Sequence, residues 1–523
     1  MRGVFSFISV YHQLVMLLAV LTTSACSTFL YQPIATIDHV DTTKGYRLQN
    51  ALLNRAPEKR DNVIGIVMFS GGGTRAAAFG YGVLEALKNQ QIEVDGKPVS
   101  LLNTVDVVYG ISGGSVLATY FGLHGEETVP LFKQNFLNLN LQKMMFGQVF
   151  SIANWSRLAS PEFGRGDLLQ EQFDLHLYKG ATYADLAKSR KGPFVVISAT
   201  DMSLGRRLDF TQEYFDVLCL DLTSLPISRA VASSSAVPLV FSPITLNNNG
   251  GNCHYQLPDN LLDNNSSEAA GTSEFRAKTR SAYRANLKQY QDSQKRPYIH
   301  LLDGGLTDNL GLRSLLDASE LYSNKTLYDR LENAHISKII IINVNAQTLR
   351  RNEIDSSAEV PGTAAVARAL TNIPIDKYSE DTQRQFQKYV DLWNSNRTAE
   401  TPLVYYISIN LLDLPNSPLR DQVIHIPTTF YLARNEVNNL RKAAKILLKQ
   451  SKEYQRLIHD IGVKKENKDE SNMVSSDQEI VDNTEEVNNR EQIRGEIEAV
   501  QTLKDNTKSF VNFINVESVP IGR

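Results

Sequence analysis

The sequence predicts an α/β fold, a three-layer α/β/α sandwich around a mostly parallel central sheet with a C-terminal helical extension. Three observations carry this. Apolar runs of strand length recur at residues 63–69, 105–108, 194–197, 336–345 and 403–409, separated by helical patterns. Two of these runs pass through glycine-rich turns straight into helices, at 70–76 and 109–115. The chain has 523 residues and is 42% hydrophobic, enough for one large α/β domain with additions.

Residues 63–69 read as a buried strand. It runs into Ser70-Gly71-Gly72-Gly73-Thr74-Arg75, and a helical pattern follows over 76–87. Three glycines at such a junction turn several backbone N–H groups toward one point, a nest for an anion or a developing oxyanion. The same residues satisfy the loose dinucleotide pattern G-x-G-x-x-A, with Glu93 or Asp95 where a ribose-binding acid is expected. That alternative leaves the next motif unexplained. A Walker phosphate loop is excluded, since no Gly-Lys-Ser/Thr follows.

The second run, 105–108, leads into Tyr109-Gly110-Ile111-Ser112-Gly113-Gly114, and an apolar-periodic stretch follows at 115–121. Strand, tight turn and helix with a serine at the apex make a nucleophile elbow. Gly110 and Gly114 leave room for close backbone approach around the strained apex. The helix aims its first amides and positive dipole end at any anion formed beside Ser112. Further on, the extended segment 296–299 precedes His300-Leu301-Leu302-Asp303-Gly304-Gly305. Asp303, just past a strand and followed by Gly304 and Gly305, reads as a carboxylate held in a tight turn. Its place after the glycine loop and the elbow makes it the candidate base.

Taken in order, Gly71-Gly72-Gly73-Thr74-Arg75, Gly110-Ile111-Ser112-Gly113-Gly114 and Asp303-Gly304-Gly305 resemble the patatin-like phospholipase family. Arg229-Ala230-Val231-Ala232-Ser233-Ser234-Ser235-Ala236-Val237-Pro238, Phe241-Ser242-Pro243 and Ala199-Thr200-Asp201 are similar to further landmarks of that family. The resemblance spans residues 60–350. One departure is Ala76, where the family usually has glycine. The resemblance implies a serine acyl hydrolase that cleaves lipid carboxylic esters, phospholipase-like or lysophospholipase-like. Ser112 would attack the carbonyl and Asp303 would take its proton directly. Gly71, Gly72 and Gly73 would form the oxyanion hole together with Arg75, which would help fix the loop. It also implies a lipid or phospholipid substrate and no cofactor.

A Ser-His-Asp triad is the mechanistic alternative and requires a late histidine. His425 sits in an apolar, strand-like run and reads as packed; His459 lacks a catalytic turn; the ring of His300 is expected to point away from the site. A dinucleotide-dependent oxidoreductase and a catalytically silent envelope lipoprotein with a binding or scaffolding role are the alternatives from other classes. The net charge of −3 gives no electrostatic case for nucleic-acid binding. No metal motif is present in the sequence.

Residues 1–26 read as a targeting segment. Arg2 precedes an apolar centre at 14–21, and the small residues 22–25 lead to Cys26. This resembles a bacterial lipoprotein signal, cleaved before Cys26, with lipid added to the sulfur and the new N-terminus. Thr23 departs from it, standing where that signal usually has leucine. Ser27, with no acid at that place, resembles outer-membrane sorting. The implied location is the bacterial envelope, lipid-anchored at an outer membrane and facing periplasm or exterior. An ordinary secretory signal and a short uncleaved anchor are the alternatives. Residues 27–60 read as a polar tether, 61–415 as the hydrolase domain, and 247–294 within it as a polar surface insertion with a helix at 275–291, either a lid or a plain loop. Cys219 and Cys253 could pair in an oxidising compartment or remain buried thiols. A helix is expected at 382–396. Residues 416–463 form a C-terminal helical segment, with one long amphipathic helix over 428–461, and 464–523 read as a largely disordered charged tail.

Overall fold

Strand β1 (Val63–Phe69) passes through the glycine loop into helix α1 (Gly73–Asn89). A hairpin of β2 (Gln91–Val94) and β3 (Lys97–Ser100) precedes β4 (Val105–Ile111), which turns through the elbow into α2 (Gly113–His124). Helices α3 (Leu141–Val149) and α4 (Ile152–Leu158) follow, then β5 (Phe194–Asp201), β6 (Arg206–Asp209), α5 (Ile227–Ser234), β7 (Ile244–Asn247), α6 (Ala270–Gln291) and β8 (Tyr298–Leu302). The chain continues through β9 (Lys338–Asn345), α7 (Thr363–Ser395), β10 (Leu403–Asn410), α8 (Arg434–Gln450) and α9 (Lys452–Ile461), with shorter helical pieces between. This computed structural model describes residues 31–48, 63–94, 97–257, 270–321, 336–349, 355, 358–398 and 401–461. The targeting segment with Cys26, residues 49–60, residues 258–269 of the insertion and the 464–523 tail lie outside the described residues.

The sheet runs β10-β9-β1-β4-β5-β8-β7, with β6 also on β5. β10, β9, β1, β4 and β5 are mutually parallel. β4 and β5 are buried at every position, which fits central parallel strands covered by helices on both sides. The expected α/β fold with a mostly parallel sheet is therefore observed. The strand that carries the aspartate turn departs from the parallel order. β8 is antiparallel to β5 and pairs with it only at Thr200↔Leu302 and Asp201↔Leu301. The pairing then stops, and Asp303-Gly304 turns in beside Ser198, so close that a Cβ on Gly304 would lie 2.2 Å from the Ser198 carbonyl oxygen.

Residues 31–48 are not a free tether. Ile34 and Tyr46 are core residues. The Val195 amide donates to the Tyr46 hydroxyl at 2.7 Å, and the Tyr46 ring stacks on Phe194 at 4.2 Å. Buried Arg47 grips Asp216 through two bonds, of 2.8 and 3.0 Å. The apolar and aromatic members of this stretch outweigh its polar average.

The C-terminal segment also differs from the reading. Residues 428–433 are not helical, and Ser451 separates α8 from α9, so the long amphipathic pattern is two helices. α8 buries Val437, Leu440, Ala443, Ala444, Leu447 and Leu448 as one stripe. It meets α1 at Gly82, where a Cβ would lie 2.7 Å from the Arg441 Cα. Arg441 then forks onto Glu85, with Nε at 2.9 Å and Nη2 at 2.5 Å. The expected helix at 382–396 is the second half of α7, a longer element that contains Pro374.

The polar insertion is pinned to the domain rather than free. Asn248 donates to the carbonyls of Tyr290 and Arg296, both at 2.9 Å, and Arg280, Leu287 and Tyr290 of α6 are buried. Cys219 and Cys253, left open by the sequence, form a disulfide that closes 34 residues. Chain entropy assigns such a loop about 3–4 kcal/mol of stability. Replacing both cysteines by alanine is expected to lower the unfolding free energy by that order, read as the urea midpoint. An unchanged midpoint would show that the link contributes nothing. Among the described residues no helix is long and apolar enough to cross a membrane.

Candidate active site

The parallel pairing of β1 with β4 sets Phe69 opposite Gly110, so the glycine loop and the elbow leave the sheet side by side. At the elbow Ser112 has φ 50° and ψ −124°, a left-handed conformation that costs a non-glycine residue about 1–3 kcal/mol. The surroundings hold it there. The Ser112 amide donates to Ser234 Oγ at 2.8 Å, and Ser234 Oγ donates to the Ser198 carbonyl at 2.7 Å. The Ser112 carbonyl accepts from Ser115 Oγ at 2.6 Å. The glycines permit close contact: a Cβ on Gly110 would lie 2.5 Å from the Ser115 Cα, and one on Gly114 2.5 Å from the carbonyl oxygens of Phe69 and Ser70. A Cβ on Gly113 would lie 2.0 Å from the Gly73 carbonyl oxygen. Loop and elbow are thus packed backbone to backbone.

Asp303 reaches the same point from β8. Ser112 Oγ donates to Asp303 Oδ2 at 2.7 Å, across 191 residues of chain. The other carboxylate oxygen accepts the Gly305 amide at 2.8 Å. The main chain at 303–304 is held by Ala236 and Ser234 carbonyls at 3.0 and 3.1 Å, and Thr200 Oγ1 donates to the Asp303 carbonyl at 2.9 Å. Ser112 and Asp303 are 5% and 7% exposed. Burial raises the Asp303 carboxyl to about 6, against the bonds from Ser112 and Gly305, which favour its ionised form.

The four residues assigned to the oxyanion hole separate into two groups. The Gly71 amide is spent on the Asn309 carbonyl at 3.1 Å. Arg75 is a brace: its Nε donates to the Ala346 carbonyl at 2.9 Å and its Nη1 to that of Ile426 at 2.8 Å. Burial lowers its pKa to about 10, although Asp376 opposes this. The Thr74 amide donates to the Thr429 carbonyl at 2.8 Å. The amides of Gly72 and Gly73 have no acceptor among the described residues. The loop is therefore tied down at both ends and by the arginine, with two donors left in the middle.

A cavity of about 640 Å³ opens over this pair, within the range of small-molecule sites. Ser112, Asp303, Gly71, Gly72 and Arg75 lie on it, and its wall is chiefly apolar, with Met145, Phe146, Phe241, Leu306, Ile375 and Phe430 among its residues. No described histidine lines it. His300 is exposed and 3.0 Å from Thr245 Oγ1. His425 is in a turn after the helix Pro418–Val423, not in a strand, and faces the Leu349 carbonyl at 3.3 Å. No described residue of 247–294 lines the cavity either, so the lid reading of that insertion does not hold for its described part.

The sequence motifs contain Ser234 and Thr200 but assign neither a task. Their hydroxyls bind the elbow and the aspartate turn. Asn309, six residues past Asp303, was not singled out. Its side-chain oxygen would lie 2.4 Å from a Cβ on Gly71 and 3.0 Å from one on Gly305, so it fills the space between loop and aspartate turn. The spacing Asp303-x5-Asn309 was the available signal. Among the described residues no cluster of His, Cys, Asp or Glu could hold a metal ion.

No curated protein sequence matches the chain significantly. Among solved structures, human GIVD cytosolic phospholipase A2 aligns over 79% of this chain and 64% of its own, at 12% identity and a TM-score of 0.41. The same human enzyme with methyl gamma-linolenyl fluorophosphonate aligns over 79% and 61%, at 12% identity and a TM-score of 0.38. The type III effector protein ExoU aligns over 64% of this chain and 75% of its own, at 15% identity and a TM-score of 0.20. The chain thus spans just under two thirds of the first of these. The Patatin-like phospholipase family model matches residues 67–316. Glycine loop, elbow and aspartate turn all fall inside that span, and the chain carries a patatin-like phospholipase domain.

Proposed function

We propose that this protein is a lipid carboxylic-ester hydrolase of phospholipase or lysophospholipase type, working through Ser112 and Asp303. The observation that carries the reading is the 2.7 Å hydrogen bond from Ser112 Oγ to a buried carboxylate at the floor of an apolar cavity. Ser112 Oγ attacks the ester carbonyl as its proton passes to Asp303 Oδ2. The carbonyl oxygen becomes an oxyanion; its proposed donors are the amides of Gly72 and Gly73, which have no acceptor among the described residues, beside the positive end of α2. Collapse expels the alkoxide leaving group, which takes the proton from Asp303. Water then attacks the acyl-serine, giving its proton to Asp303, and the fatty acid leaves as Ser112 is restored. The apolar wall suits an acyl chain, and an ester is a substrate that a carboxylate base can serve.

A fluorophosphonate probe tests this directly. It is expected to label Ser112 in the wild type and nothing in Ser112→Ala, by mass spectrometry of the modified peptide. An unlabelled wild-type serine would sink the proposal and favour a silent binding protein. The pH dependence follows from Asp303. The base must be ionised, so kcat/KM for a soluble ester is expected to fall about tenfold per unit as pH drops below about 6. A profile flat from pH 7 to 4 would exclude Asp303 as the base.

We also propose anchoring at a bacterial envelope membrane through lipid on Cys26. The Cys219–Cys253 disulfide supports an oxidising compartment. Cys26→Ser is expected to abolish acyl-chain labelling of the protein. Continued labelling of that variant would exclude this anchor.

A further inference from the structure

The mouth of the cavity is bordered by apolar side chains that the fold leaves in water. Phe146 and Phe150, on and just past α3, are 48% and 62% exposed, and Val240, after α5, is 51% exposed; all three also line the cavity. Helix α7 forms another part of the wall. Its Arg368, Thr371, Asn372 and Ile375 line the cavity. Val366, Leu370 and Ile373 recur at the spacing of a helical stripe and are 47%, 72% and 50% exposed. By helical phase this second stripe lies on the side of α7 away from the cavity. A surface helix ordinarily turns its apolar stripe to the core and its polar face to water; this arm of α7 does the reverse. In α4, which follows Phe150 directly, Trp155 is 61% exposed. Single exposed apolar residues need no explanation, but Phe146, Phe150 and Val240 at one opening, together with exposed apolar side chains on the helices beside it, do.

Charge on this face is one-sided. α3, α4 and residues 363–375 of α7 contain Lys143, Arg157 and Arg368 and no Asp or Glu, in a chain of net charge −3. Arg157 is paired with Glu171. Arg368 lines the cavity together with Arg165, which begins the next helix, and both are exposed. The carboxylates on the cavity wall are Asp303, at its floor, and Asp376, whose charge acts on buried Arg75.

We infer that this face docks on a lipid bilayer with anionic headgroups. The apolar rim enters the interface, Lys143, Arg165 and Arg368 meet headgroup phosphates, and a lipid passes into the cavity without crossing water. A folded protein seated on the same rim would close the cavity mouth, whereas a bilayer supplies the acyl chain that the apolar wall suits. The inference rests on the lipid-ester reading and deepens it, since it names aggregated lipid as the form in which substrate is taken.

The test uses the full chain carrying Cys26→Ser throughout, so that no acyl anchor contributes. Vesicles are phosphatidylglycerol mixed with phosphatidylcholine, or phosphatidylcholine alone. Binding is measured by flotation with Ser112→Ala protein, and hydrolysis with the active parent. The triple variant Trp155→Ser, Leu370→Ser, Ile373→Ser changes exposed residues that lie off the cavity lining. It is expected to lose roughly tenfold or more in vesicle binding and in vesicle hydrolysis, while hydrolysis of a water-soluble p-nitrophenyl ester stays within about twofold, which also reports that the variant folds. Lys143→Gln is expected to weaken binding to the anionic vesicles only. Equal vesicle binding by parent and triple variant overturns the inference. So does a self-association that the triple variant abolishes in sedimentation, since a second copy would then cover the rim. A parent that binds vesicles but hydrolyses neither substrate refutes the hydrolase reading and leaves the docking surface standing.

Discussion

Ser112→Ala and Asp303→Asn are each expected to lower kcat/KM for a soluble ester by at least about four orders of magnitude, and the double variant to be no worse than either single one. The reason is the shared proton. Without Ser112 no acyl-enzyme forms, and without the carboxylate nothing takes the proton from Oγ. Each loss removes the same reaction path, so the effects do not add. The stability of Asp303→Asn separates chemistry from folding. Burial raises the folded-state carboxyl to about 6, above its unfolded value. The favourable contribution of this group is therefore full below the unfolded pKa and lost as pH rises through about 6. At pH 7 the wild type carries an ionised, buried carboxylate at some cost. Asp303→Asn is expected to melt no lower than the wild type at pH 7, with the difference shrinking toward pH 4. His300→Ala and His425→Ala are expected to keep activity within about twofold. Should a histidine variant be inactive while Asp303→Asn works, the two-residue mechanism is wrong.

The second large effect concerns folding. Behind the aspartate turn, Arg207 on β6 lies among three carboxylates. Its Nε is 3.1 Å from Asp209 Oδ1, Nη1 is 3.5 Å from Asp308 Oδ2, and Nη2 is 3.3 Å from Asp317 Oδ2. Nε and Nη1 make no well-aligned hydrogen bond, so these two contacts act mainly as charge contacts. Arg207, Asp209 and Asp308 are nearly enclosed. Removing one partner of such a group strands the others, at about 3–5 kcal/mol. Arg207→Met is expected to destabilise by that amount, a large part of what a folded domain has, seen as a lower urea midpoint. The sign with pH is also determined. Burial raises Asp209, and raises Asp308 to about 6, while Arg207 opposes both shifts. Without the arginine the two carboxyls rise further, so the penalty is expected to grow from pH 5 to pH 8. An unchanged midpoint at both pH values would mean the cluster contributes nothing. Because Asp308 follows Asp303 by one turn, partial loss of activity is expected to accompany the lower stability.

Much of this architecture was legible locally. The apolar runs at 63–69, 105–108, 194–197 and 403–409 are buried strands because each is long enough to span the sheet and apolar enough to be covered. The runs at 428–461 and 27–60 were misread for related reasons. Helical periodicity continues across Ser451 without registering that the backbone there is extended, and a polar average hides Ile34, Tyr46 and Arg47, which are buried by partners more than a hundred residues away. The insertion at 247–294 reads as a surface lid or loop because the sequence cannot show that Asn248 bonds to carbonyls 42 and 48 residues on.

Sequence alone determined the fold class, the order of glycine loop, elbow and aspartate turn, and one serine and one carboxylate as candidates, whose pairing the family resemblance implied. These are short-range matters: strand length, glycine at points of close approach, and residue type in a turn. Only the tertiary structure decided that β8 arrives antiparallel, that Ser234 holds the elbow and that Arg75 braces the loop. It also decided that the Gly71 amide is spent, while those of Gly72 and Gly73 have no acceptor among the described residues. Hydrogen-bond satisfaction and desolvation are set by whichever groups the fold brings within about 3 Å, and along the chain those groups stand far apart.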